Sequence, residues 1–227
     1  MYSFEIQEKR VDVFYKEYSN KKVPVVILNT FENEGIKIWS ESQKENVNDY
    51  ILVAISNLDW NSDMTPWKSE AIFRSEGDYQ GNADKHLNLI IKEIIPNVEN
   101  FFKSLYIEID YYVITGYSLA GLFALYSGYK TNIFKKIVCA SGSLWYKDFE
   151  EFVKNNELDN SVEKIYFSLG NKEKYSKNEV LKTVEEKTIK IKEYLSNKIE
   201  IEYEENEGNH FVDADKRVIK GIKNILN

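Results

Sequence analysis

The sequence predicts an α/β protein: a mostly parallel central sheet flanked by helices on both faces, with an antiparallel hairpin at its N-terminal edge. Three observations carry this. Short apolar runs alternate with segments of helical periodicity from residue 23 onward, the pattern of parallel strands joined by crossover helices. Several of those runs are apolar on successive residues, as strands covered on both faces must be. Only residues 3–18 show the partial alternation of a pair of edge strands. A hydrophobic content of 43% and a charged content of 30% are globular values, and 227 residues suffice for one domain, 1–227, with a sizeable core.

The elements follow in order. Residues 23–29 form a β-branched run with Pro24 near its start, where a strand tolerates proline. Residues 51–56 are the next strand. A long excursion follows over 57–82, carrying Trp60, Pro66, Trp67, Gly77 and Gly81. Residues 83–103 are helical, with Leu87, Ile90, Ile91, Ile94 and Ile95 at helix spacing and Pro96 placed to bend or split the segment. Strand 111–115, helix 119–129 and strand 134–140 come next, then a loop over 141–145. Strand 164–169, helix 177–195, strand 199–203 and helix 212–226 complete the chain. The last helix carries Val212, Val218, Ile219, Ile222 and Ile225 on one face.

Composition narrows the function. The net charge is −7 and no basic cluster stands out, so no nucleic-acid partner is expected. No apolar run approaches the ~20 residues of a membrane span, so no membrane role is expected. The first residues lack an apolar core behind a basic head, and the single cysteine, Cys139, has no internal partner; both point to a cytoplasmic setting. Cys139 lies in an apolar run and reads as a small core residue. With only His86 and His210, a histidine-rich metal site and a structural zinc are excluded.

The segment Gly116-Tyr117-Ser118-Leu119-Ala120-Gly121 joins the apolar run 111–115 to a helix start. A serine at a sharp strand-to-helix turn is the geometry of a nucleophile elbow. Small residues two places either side, Gly116 and Ala120, avoid collision between strand and helix, and Gly121 allows close packing. The Leu119 amide opens the helix, where unpaired N–H groups and the helix dipole favour an oxyanion. The plainer reading is a tight turn.

A serine nucleophile needs an imidazole. His210 follows strand 199–203 in a polar loop before the last helix, which fits the chain order Ser, Asp/Glu, His of the α/β-hydrolase arrangement. His86 precedes the nucleophile and reads as a solvated helix residue. The acid belongs after strand 164–169, where Glu173 is the first carboxylate. Its task would be to hold the histidine tautomer; among Lys172 and Lys174 it also reads as a surface ion-pair residue. A Ser–His dyad oriented by another group is the alternative. A second oxyanion amide belongs to the loop after strand 23–29, at Thr30 or Phe31. Tyr117, Trp60, Trp67 and Trp145 are candidate pocket walls, with core packing as the other reading for the tryptophans.

Residues 116–126, Gly-Tyr-Ser-Leu-Ala-Gly-Leu-Phe-Ala-Leu-Tyr, resemble the elbow of the putative esterase family of α/β-hydrolases, which includes esterase D-like enzymes and enterochelin-type siderophore esterases. The resemblance extends to residues 59–67 (Asp-Trp-Asn-Ser-Asp-Met-Thr-Pro-Trp), to 81–84 with 93–96, to Ser141-Gly142-Ser143-Leu144-Trp145 and to Gly208-Asn209-His210. Residues 29–32 depart from it, lacking an Asp-Gly or His-Gly oxyanion signature. The resemblance implies hydrolysis of a small-molecule ester through an acyl-serine, with no metal or organic cofactor. A siderophore tri-ester is the second substrate class it implies, although the acidic chain shows no obvious cationic pocket. Transfer of the acyl group to another alcohol, and a non-catalytic binding role on the same fold, are the remaining alternatives.

Overall fold

The computed structural model describes residues 1–18, 22–72 and 77–227. Parts of the predicted 3–18 hairpin region and of the 57–82 excursion adjoin the gaps, and residues 73–76 of that excursion lie outside the described residues.

The elements in chain order are β1 (Tyr2–Ile6), β2 (Lys9–Phe14), β3 (Lys22–Asn29), α1 (Gly35–Ser42), β4 (Ile51–Ser56), α2 (Trp60–Asp63), β5 (Lys68–Ser69), β6 (Tyr79–Gln80), α3 (Ala83–Leu89), α4 (Ile95–Ser104), β7 (Glu108–Tyr117), α5 (Leu119–Ser127), β8 (Phe134–Ala140), α6 (Phe149–Asn155), β9 (Lys164–Gly170), α7 (Val184–Ser196), β10 (Glu200–Asn206) and α8 (Ala214–Leu226). The main sheet has eight strands in the order β1-β2-β4-β3-β7-β8-β9-β10. β1 pairs antiparallel with β2, and β2 antiparallel with β4; every later pairing is parallel. The predicted mostly parallel sheet with an antiparallel edge hairpin is the observed one.

The alternation of a strand's side chains divides the core between the two faces of the sheet. Ile114, Ile137, Cys139, Ile165 and Phe167 pack on the face that also buries residues of α3, α4, α5, α6 and α7. Val113, Val138, Ala140 and Tyr166 pack on the other, against Ile38 of α1 and Val218, Ile219 and Ile222 of α8. Cys139 is buried, and burial pushes its thiol up to about 12. Among the described residues no helix is long and apolar enough to cross a membrane.

Several boundaries differ from the periodicity. Pro96 has no N–H to offer the carbonyl one turn back. The segment before it, Ile90–Ile94, opens into a π turn, and α4 restarts with the proline in its first turn. α1 and α6 lie outside the elements the sequence predicts: they run only eight and seven residues, about two turns each, too short for apolar spacing to establish a helical period. α1 enters close to β4 because Gly35 has no side chain; a Cβ there would lie 2.5 Å from that of Ala54.

His86 is a correction. It is not solvated but buried on α3, with Nε2 2.8 Å from Asn29 Oδ1 at the end of β3. Its helix face turns inward because α3 packs on the sheet. Burial lowers the imidazole to about 4, with Asp63 raising it and Lys9 lowering it further. The histidine is therefore neutral when folded and protonated when unfolded between about pH 6.5 and pH 4. Over that window the unfolded chain binds the extra proton, so stability falls as pH falls. A shift of this size corresponds to about 3 kcal/mol. Urea denaturation of wild type and His86→Gln across that window checks it: the variant should lose less stability on acidification, and parallel losses would contradict the assignment.

Candidate active site

Ser118 lies between the last residue of β7 and the first of α5, with φ 59° and ψ −123°. A non-glycine residue there costs on the order of 1–3 kcal/mol, and the surroundings must impose it. They do so through the backbone. The Ser118 carbonyl accepts from Gly121, Leu122 and Ser143 N–H at 3.0, 3.1 and 3.0 Å, and the Ser118 N–H donates to Ala140 at 3.3 Å. Gly116 is obligatory, since a Cβ would come within 2.3 Å of the Ala120 backbone. Gly121 touches the loop after β8: a Cβ there would lie 2.9 Å from Gly142 Cα. That contact brings Ser143 Oγ to 3.3 Å from Ser118 Oγ.

His210 Nε2 lies 3.0 Å from Ser118 Oγ, and His210 Nδ1 lies 2.7 Å from Glu173 Oε2. A carboxylate accepting from Nδ1–H leaves the Nε2 lone pair facing the serine. The loops carrying Glu173 and His210 are joined by hydrogen bonds that prolong the β9–β10 pairing beyond the strand ends. Asn171 N–H donates to Asn206 O at 2.8 Å, Lys172 N–H to Gly208 O at 3.0 Å, and Gly208 N–H to Asn171 Oδ1 at 3.1 Å. The Tyr117 hydroxyl donates to His210 O at 2.7 Å and steadies the loop from β7.

Glu173 is not the exposed lysine-loop residue of the alternative reading; it is buried in a single 3₁₀ turn after β9. Burial alone would raise its titration. The hydrogen bond and charge of His210, the Gly170 N–H and the Ser141 hydroxyl outweigh burial and hold it below the ordinary carboxylate range. Gly170 N–H and Ser141 Oγ both donate to Oε1, at 2.8 and 2.9 Å.

Sequence reasoning missed Arg217. Its side chain is 1% exposed, and Nη1 donates to Glu173 Oε1 at 2.8 Å, to Ser141 Oγ at 2.9 Å and to Tyr117 Oη at 3.1 Å. Nη2 donates to the carbonyls of Glu207 and Asn209 at 3.1 and 2.9 Å. A signal existed: residue 217 stands one helical turn before the buried Gly221 and two before Ile225, so a cation falls on the buried stripe of α8.

The two candidates for the second oxyanion amide separate. The Thr30 N–H donates to Ile55 O at 2.9 Å, continuing the β3–β4 ladder, and is not available to a ligand. Among the described residues the N–H groups of Phe31 and of Leu119 have no such partner. Phe31 lines the cavity over Ser118. That cavity measures about 1200 Å³, and Trp60, Tyr79, Trp145 and Phe211 are among its walls. A second cavity of about 350 Å³ adjoins it, and Tyr117 lies in its wall. Ser118, His210, Phe31 and Trp60 border both. Trp67 is the second correction: it lines neither cavity. Its ring packs with Tyr126, Tyr146, Phe149 and Phe152, and its indole N–H donates to Lys147 O at 3.0 Å. An indole so enclosed by aromatic rings serves the core beneath the excursion. Among the described residues no group of His, Cys, Asp and Glu is arranged to hold a metal ion.

The chain has relatives in sequence and in fold. The uncharacterized protein YbbA of Bacillus subtilis is 24% identical over 169 residues, covering 74% of this chain and 67% of that protein. The siderophore hydrolase EstA from Aspergillus nidulans superposes with a TM-score of 0.75 at 17% identity, covering 97% of this chain and 91% of that one. An IroE-like serine hydrolase from Shewanella oneidensis superposes with a TM-score of 0.77 at 18% identity, covering 96% and 75%. At such identities the superpositions establish the α/β-hydrolase fold. The family model described as putative esterase matches residues 7–214, nearly the whole chain, and the chain belongs to that esterase family.

Proposed function

We propose that the chain is a serine esterase that opens a carboxylic ester through an acyl-serine intermediate. The observation that carries the reading is the continuous contact from Ser118 Oγ to His210 Nε2 at 3.0 Å and from His210 Nδ1 to Glu173 Oε2 at 2.7 Å. In the first half-reaction Ser118 Oγ attacks the carbonyl carbon while Nε2 takes its proton. The carbonyl oxygen becomes an oxyanion, with Leu119 N–H and Phe31 N–H as its donors. Collapse breaks the bond to the alcohol, which leaves with the proton from Nε2. In the second half-reaction a water gives its proton to Nε2 and attacks the acyl carbon. Collapse returns the proton to Ser118 Oγ and releases the acid. Glu173 stays ionised throughout and stabilises the imidazolium.

The cavities support a bulky substrate. The serine stands where a cavity of about 1200 Å³ meets one of about 350 Å³, so one part of the ester is large and the other compact. Aromatic walls suit an aryl or long-chain apolar part. A siderophore tri-ester is the second reading, favoured by the size of the larger cavity and by the likeness to EstA. The charged groups on its described walls are Asp59, Asp78 and Glu173 against Lys172, an unfavourable field for an anionic ferric complex. A metal-free ester is the better match.

Two measurements test this. Hydrolysis of p-nitrophenyl butyrate should fall by roughly 10³-fold or more in Ser118→Ala, with binding little changed; equal rates would sink the assignment. Competing p-nitrophenyl butyrate against a catecholate tri-ester, with and without ferric iron, separates the substrate readings. The simple ester should be turned over faster than the ferric complex, and preferred cleavage of the ferric complex would overturn that choice.

A further inference from the structure

We infer that Arg217 is a positioning residue of the Ser118–His210–Glu173 site: one buried guanidinium aims the Glu173 carboxylate at His210 and ties the histidine loop to the acid. The inference rests on the esterase reading above and names a residue outside the three that it uses.

The geometry divides the work on Glu173 between its two oxygens. Oε1 is occupied by Arg217 Nη1, the Gly170 N–H and the Ser141 hydroxyl. Oε2 faces His210 Nδ1. With Oε1 anchored on three sides, the carboxylate cannot rotate away from the imidazole. The other arm of the fork holds the histidine from behind, because Nη2 binds the carbonyls of Glu207 and Asn209, which flank Gly208 and precede His210. Nη1 also reaches the Tyr117 hydroxyl, which itself donates to His210 O. A planar, delocalised fork with several donors can span these acceptors at once; a single ammonium cannot. Room for the fork comes from Gly170, where a Cβ would lie 2.7 Å from Nη2 and 2.4 Å from Gly208 O.

The charge matters beside the geometry. Glu173 and Arg217 stand behind His210, while Asp59, Asp78 and Lys172 border the larger cavity and Glu34 and Asp215 border the smaller one. Asp215 is paired with Lys37 at 2.6 Å, and Asp213, in the same loop, with Lys216 at 3.0 Å. Arg217 is thus the buried cation in contact with the acid. Removing it favours the protonated imidazole and disfavours the ionised carboxylate, so both titrations move to higher pH. The residue borders neither cavity, so substrate binding should be little affected.

Arg217→Gln and Arg217→Lys test this with two readouts. In Arg217→Gln, kcat for p-nitrophenyl butyrate should fall by roughly tenfold or more with KM within about twofold. The acidic limb of its kcat/KM profile should move up by about one pH unit. The NMR titration of the His210 ring, one of only two histidines and identified by its loss in His210→Ala, should move up in parallel. Arg217→Lys should restore the limb but only part of kcat. Wild-type kcat in the Gln variant, or a lowered kcat with both the limb and the ring titration unmoved, would overturn the inference. Should the Gln variant not fold, full kcat in the Lys variant would overturn it as well. The ring titration does not depend on turnover: its movement without any Ser118-dependent activity would uphold the role of Arg217 and sink the esterase reading.

Discussion

A carboxylate cannot be buried alone. Desolvating one costs several kcal/mol unless donors and a counter-charge replace the lost water. Glu173, with its side chain 3% exposed, meets that requirement from four separate elements. The backbone N–H comes from the end of β9, the serine hydroxyl from the loop after β8, the guanidinium from α8 and the imidazole from the loop after β10. Satisfying one acid therefore fixes the relative positions of the loops that meet at Ser118. The site is as much a consequence of that buried charge as of the serine turn.

The sheet makes the meeting possible. Parallel strands all end at the same edge, and the segments leaving that edge converge beyond it. β9 and β10 stay in register to their last pair, Gly170 with Asn206, and the ladder continues into the loops that hold Glu173 and His210. On the other side, Gly116, Ala120, Gly121 and Gly142 let α5 and the loop after β8 approach closely enough to impose a positive φ on Ser118. The strain and the small residues belong together: the turn is held by backbone hydrogen bonds that larger side chains would push apart.

The elbow, the order of elements and the pairing of His210 with Glu173 were legible because they follow from local patterns. Apolar runs mark strands, small residues mark the turn, and the loops after successive strands are ordered along the chain. What failed depends on tertiary packing. His86 lies on a helix whose inward face the periodicity did not fix, and its partner Asn29 is far away in sequence. Trp67 looks like any loop tryptophan until the aromatic residues of α5 and α6 surround it. Thr30 and Phe31 differ only in which backbone amide the neighbouring strand uses, which side-chain identity does not report. Arg217 is the instructive omission: a lone cation on a buried helical stripe carries a physical demand for a partner, and that demand leads to the acid.

On the proposed mechanism, Ser118 is a nucleophile made reactive by His210. Intact and peptide mass spectrometry after treatment with a fluorophosphonate measures this without assuming a substrate. The geometry predicts a single adduct on Ser118, formed far more slowly in His210→Ala and absent in Ser118→Ala. No adduct on the wild-type protein, or one on another residue, would contradict it.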